Sequence, residues 1–179
     1  MELSEIADRV ARVREQMAKA AAQAGRDEKE VLLLAATKMN DAQRVREAIA
    51  AGVDVCGENR VQELQEKNAQ GAYEGCPLHF IGHLQKNKAK FLVGTVELIH
   101  SVDSPELMHT INRLAEQRGL TQDILIEVNV GGEAAKSGIP PEAADEMAAE
   151  MAEYPNLRLR GFMTIPPIST ENGGNLRYF

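Results

Sequence analysis

Apolar residues recur along the first segment at Leu3, Ile6, Val10, Val13 and Met17, in alternating steps of three and four, and the pattern stops near Gly25. That period predicts an amphipathic helix over about residues 2–25, preceding the first strand. From residue 31 a different rhythm takes over, in which short apolar runs are each followed by a helical pattern. The runs are VLLLAAT, VDVCG, LHFIGH, VELIHSV, DILIEVNV and LRLRGFMTI, and they predict six strands starting near residues 31, 53, 78, 96, 123 and 157. The first, Val31 to Ala36, is too short to cross a bilayer and reads as a buried strand.

Helix starts fall between the runs. Asn40 has Gln43 three positions on, Val45 and Ile49 share a face, and Gly52 closes the segment. Asn59 stands in the same relation to Gln62, and Ser104 is followed by Pro105 at the first helical position. Alternation of strand and helix implies a parallel sheet, because each parallel pair needs a crossover. The stretch AATKMNDA after the first strand contains no glycine, which weakens a nucleotide-binding open sheet. A closed barrel has its own difficulty: six units use about 150 residues, and eight would need about 230 to 250. With exposed strand edges a six-unit chain would carry unpaired backbone groups, so residues 1–179 are expected to be one domain, C-terminally incomplete, of a longer protein. An intact mass well above 19.6 kDa would support that expectation.

Composition narrows the class. With 44% hydrophobic and 26% charged residues the chain is that of a globular domain, and MELSEIADRV has neither the basic stretch nor the apolar core of a signal peptide. A cytoplasmic protein without a membrane partner is expected. Cys56 and Cys76 sit in no metal-ligand spacing and read as reduced, structural residues. The net charge of -7 argues against nucleic acid as a partner, since counterion release needs a basic surface. The one basic cluster, QKNKAKF with Lys86, Lys88 and Lys90, reads as a solvated helix face. No unexplained apolar helix face demands an oligomer, so a monomer is expected.

In an α/β barrel the working residues project from the C-terminal strand ends. Those positions hold Lys38, Glu58, Asn59, His83, Asp103, Asn129, Met163 and Thr164. They supply no Ser-His-Asp set, and the chain has no Gly-x-Ser-x-Gly elbow. His79 and His83, four apart on a strand, would be separated by about 13 Å, so no metal site is expected. Lys38 offers the most chemistry. A lysine near apolar walls has its charged form disfavoured, and its free amine can attack an aldehyde or ketone to form a Schiff base. The plainer alternative is a lysine that snorkels into solvent, just as Asn59 has a sufficient job as a helix cap and His83 as a hydrogen-bonded structural residue.

Six blocks in order carry a resemblance: AATKMN with Lys38, GENRVQEL from Gly57, HFIGHLQKNKAKFL from His79, IHSVDS from Ile99, EVNVGGEAAKSGI from Glu127 and LRGFMTIPP from Leu159. Together they resemble the pyridoxal phosphate homeostasis proteins, single-domain barrels similar to the N-terminal domain of alanine racemase. The resemblance runs from about residue 5 to the end of the chain and implies a (β/α)8 TIM-barrel type fold with the last two βα units missing here. It implies that Lys38 carries pyridoxal 5'-phosphate (PLP) as a Schiff base. It places Asn59 and Met163 near the pyridine ring, His83 in the same pocket, and Lys136 of AAKSGI as a second PLP contact, against the alternative of a loop charge.

Relatives continue through two more strands, where a Ser-containing loop and an Arg-Ile-Gly-Thr-type turn bind the cofactor phosphate. Phosphate sites of such barrels lie after the seventh and eighth strands and at a helix N-terminus, and the paired glycines of VGGEAAK are followed directly by Glu133. This chain alone is therefore expected to hold PLP only through Lys38, weakly. The resemblance further implies a PLP-binding protein without catalytic residues, active in intracellular vitamin B6 homeostasis and amino-acid metabolism, with PLP-dependent apoenzymes as recipients. A racemase would need a second acid/base, commonly a tyrosine, and Tyr73, Tyr154 and Tyr178 read as loop or helix residues away from strand mouths. The competing readings are a fold-type III PLP-dependent amino-acid racemase, a PLP-independent Schiff-base aldolase, and, more distantly, a nucleic-acid module.

Overall fold

The computed structural model describes residues 3–133, 136–171 and 173–179, with side chains from Glu5 onward. The chain divides into two compact units, Met1–His79 and Phe80–Phe179.

In the first unit, α1 (Leu3–Gln23) precedes β1 (Leu34–Ala36), α2 (Ala42–Ala50), β2 (Val55–Glu58) and α3 (Val61–Ala69), and β3 (Leu78–Phe80) begins at its end. β1 and β2 pair in parallel with Leu34, Ala35 and Ala36 opposite Val55, Cys56 and Gly57. All four residues of β2 are buried, as a strand covered on both faces requires. α1 is tied to the turn before β2 by Arg14, which donates to the Gly52 carbonyl at 2.7 Å and pairs with Asp54 at 2.6 Å. Asp54 also accepts the Leu33 N–H at 2.6 Å, so one carboxylate joins α1 to the approach to β1.

Two expectations shift here. Val31 and Leu32 are 39% and 64% exposed and precede the paired residues, so the apolar run is not a buried strand throughout. The helix caps move by one residue. Asp41, not Asn40, caps α2 by accepting the Arg44 N–H at 2.9 Å. Arg60 occupies the cap position of α3 without a side-chain bond, so Asn59 is not a cap.

The second unit contains β4 (Leu98–Val102), α4 (Pro105–Gln117), β5 (Gln122–Glu127), α5 (Ala144–Ala149) and β6 (Leu157–Met163). β4 pairs with β5, and β5 with β6, all in parallel. α4 buries Leu107, Met108, Ile111 and Ala115 along one stripe, and its start is capped by Ser104, with Pro105 inside the first turn. Ile99, Val102, Ile124 and Ile126 form the buried side of the ladders. The β5–β6 register slips between Ile124 and Leu125, opposite Gly161. Gly161 has φ +139°, a conformation that side-chain-bearing residues rarely adopt, so the glycine admits the irregularity. The basic cluster forms a 3-10 segment, Lys86–Phe91, rather than an α-helix face, with Lys88 and Lys90 over the Phe91 ring at 5.9 and 5.0 Å. All six expected strands are present. No helix among the described residues is long and apolar enough to cross a membrane.

Candidate cofactor site

β1 ends at Ala36, and the chain turns at once through Thr37, Lys38, Met39 and Asn40. The Asn40 N–H closes the turn on the Thr37 carbonyl at 3.2 Å, and the Asn40 amide donates to the Lys38 carbonyl at 3.0 Å. Met39 takes φ +61°, a left-handed conformation that is costly for a residue with a Cβ, and its side chain is 85% exposed. Lys38 is exposed within this turn, so its setting in the unit is a polar turn and not a ring of apolar walls.

Beneath the turn lies a buried polar cluster. Glu58, the last residue of β2, is fully buried, and its Oε1 accepts from Thr37 Oγ1 at 2.6 Å, Lys67 Nζ at 2.8 Å and the Tyr73 hydroxyl at 2.9 Å. Lys67 is 5% exposed and donates also to the Thr37 carbonyl at 2.7 Å and to Glu63 Oε1 at 2.7 Å. Glu63 in turn accepts the Met39 N–H. Burial acts to lower the Lys67 pKa, but the bonds to Glu58 and Glu63 outweigh it and leave the pKa raised, so this lysine is held as a cation. Burial likewise pushes the Glu63 carboxyl up, yet Lys67 and the Met39 N–H leave its pKa below 4.5. Tyr73 is raised by burial first and by Glu58 second, which keeps its phenol protonated.

Two buried acceptors at the mouth of β2, Glu58 Oε2 and Asn59 Oδ1, have no hydrogen-bond partner. The β1–β2 register ends with Ala36 opposite Gly57, so Lys38 and Asn59 each follow the last paired residues of neighbouring strands by two positions. The first unit thus combines an exposed primary amine, a fixed turn and acceptors that lack donors. A ligand with a carbonyl carbon for the amine and hydrogen-bond donors on a polar ring fits this set.

The second unit carries the other expected positions. His83 Nδ1 lies 3.7 Å from Asp103 Oδ2, with the imidazole 59% exposed. Glu127 ends β5 level with Met163 at the end of β6, accepts the Ser137 hydroxyl at 2.9 Å and keeps Oε2 buried without a partner. Burial raises the Glu127 pKa, with a smaller contribution from Asp103. Met163 is half-buried, and Lys136 pairs with Glu133 at 2.7 Å. No group of three or more His, Cys, Asp or Glu able to hold a metal occurs among the described residues. Sequence reasoning missed Lys67, Glu63, Tyr73 and Thr37. The Glu63–Lys67 spacing of four on α3 was the available signal, and that spacing ordinarily marks a solvated pair.

The alanine racemase N-terminal domain model matches residues 3–177. The pyridoxal phosphate homeostasis protein of Aquifex aeolicus is 44% identical over 173 residues, covering 96% of this chain and 75% of its own length. Its counterpart in Pseudomonas aeruginosa is 42% identical over 172 residues, covering 94% and 74%. Among solved structures, PipY of Synechococcus elongatus with PLP bound is 31% identical with a TM-score of 0.76, covering 92% of this chain and 72% of that one. An alanine racemase of Clostridium difficile, 15% identical with a TM-score of 0.72 and covering 93% and 43%, shares the fold. With strand-and-helix alternation, parallel ladders and these relatives in agreement, the chain has the alanine racemase-type fold with six strands, consistent with part of a TIM barrel, and belongs to the pyridoxal phosphate homeostasis protein family.

Proposed function

We propose that this chain binds PLP through the Lys38 amine and takes part in intracellular PLP homeostasis. The observation that carries the reading is the exposed Lys38 amine on a clamped turn just after β1, while at the end of the neighbouring β2 Glu58 Oε2 and Asn59 Oδ1 are buried without donors. The names of the Aquifex and Pseudomonas relatives and the PLP bound in PipY support it. Lys38 holds the cofactor covalently and Asn59 faces its ring; Met163 and His83, in the second unit, are further cofactor positions of this reading, and the protein is monomeric and cytoplasmic. When bound, PLP would supply an electrophilic aldehyde carbon and an electron-accepting ring.

The finer reading is a carrier that delivers PLP to apoenzymes and turns over no substrate. A racemase needs an acid/base on each face of the ring, and a phenol is the common partner of the lysine. Tyr73 is buried and bonded to Glu58, with its pKa raised, so it is unsuited to take a proton. Incubation of the PLP-loaded protein with L-alanine and other amino acids, followed by resolution of enantiomers, tests this. The carrier reading expects no turnover above that of free PLP, and enantiomer exchange above that background refutes it.

A further inference from the structure

We infer that Lys67 and Glu63 are positioning residues for Lys38, fixing the direction in which its side chain leaves β1. The inference rests on the reading of Lys38 as the cofactor anchor. Glu63 and Lys67 stand one turn apart on α3 and bond each other. Together they take hold of both backbone groups that flank Lys38. Lys67 Nζ donates to the carbonyl of Thr37, the residue before it, and Glu63 Oε1 accepts the N–H of Met39, the residue after it.

Stability alone is a weak reason for this cluster, since apolar side chains of similar volume often serve a core as well as a buried ion pair does. Directionality is a stronger one. Met39 at φ +61° would relax toward commoner backbone conformations unless a neighbour held its N–H, and relaxation there swings Lys38. Glu58 completes the device by anchoring Lys67 and Thr37 from β2. Lys67 and Glu63 touch backbone groups beside Lys38, so they act through it.

The test compares the 179-residue chain with Glu63→Ala and Glu63→Gln. Glu63 is partly exposed, so both variants are expected to fold. Two readouts are needed: amide hydrogen exchange at Met39, and the fraction of Lys38 modified after PLP addition, borohydride reduction and peptide mass mapping. Glu63→Ala should speed Met39 exchange by about tenfold or more and lower Lys38 modification, with Ile124 and Ile126 amides unchanged. Glu63→Gln keeps a carbonyl acceptor for Met39 and should restore much of both. Equal Met39 exchange in all three proteins overturns the inference, as does faster exchange with undiminished modification of Lys38. If the unaltered chain shows no modification at Lys38, the cofactor reading fails by itself. Met39 exchange then decides the clamp: acceleration confined to Glu63→Ala sustains it, and equality overturns it.

Discussion

At the scale of residues, the buried cation Lys67 decides what Glu58 can be. Truncating it as Lys67→Met would leave the Glu58 carboxylate buried with only hydroxyl donors, which costs about 3–5 kcal/mol by the usual penalty for breaking a buried pair. Urea denaturation should show that loss, and a drop of under about 1 kcal/mol would contradict the account. Lys38→Ala, by contrast, changes an exposed side chain and should shift stability by no more than about 0.5 kcal/mol while removing the reducible PLP linkage. pH separates the partners further. Because the folded pKa of Glu63 lies below 4.5, its contribution is present in full above that value and is lost as pH falls through the folded one. Because that of Lys67 lies above 10.5, its contribution is full below that value and fades as pH rises through the folded one. The stability difference between the native chain and Glu63→Gln should therefore be flat near neutrality and shrink in acid; a difference that persists in strong acid would rule this out. Lys38 was legible because a charge ends an apolar run. Lys67 was not, because a lysine four after a glutamate on a helix reads as solvated until tertiary contacts with Glu58 and Thr37 are known.

At the scale of elements, local chemistry set boundaries to within a residue where the signal was redundant. Ser104 with Pro105 was unambiguous, and Ser104→Ala should cost about 1 kcal/mol of stability with little effect on the first unit. Thermal unfolding checks it. Asn40 and Asp41 are both good caps, and only the backbone decides between them. Asn59 illustrates a deeper limit: the pattern that made it a cap is equally satisfied by a residue whose Oδ1 is buried and left without a donor, one place before the actual cap position at Arg60. The tie between α1 and β1 was invisible, since Arg14 and Asp54 are 40 residues apart in sequence. Arg14 is the main cause holding the Asp54 carboxyl below 3.8, so that tie is full above that pH and weakens as pH falls through the folded value.

At the scale of the molecule, the change of hydrophobic period at residue 31 was enough to predict six strands and a parallel arrangement within each unit. Register slips such as the one opposite Gly161 were not legible, because an isolated glycine in a strand signals an irregularity without saying which neighbour yields. The chain spans about three quarters of the length of the homeostasis proteins it matches. The central claim concerns one side-chain amine among the chain's eight lysines. It is tested most directly by adding PLP to the purified chain, reducing with borohydride and mapping the modified peptides by mass. The account predicts a pyridoxyl adduct on Lys38 that is absent from Lys38→Ala. Label spread over exposed lysines with no preference for Lys38, or unchanged by Lys38→Ala, would contradict it.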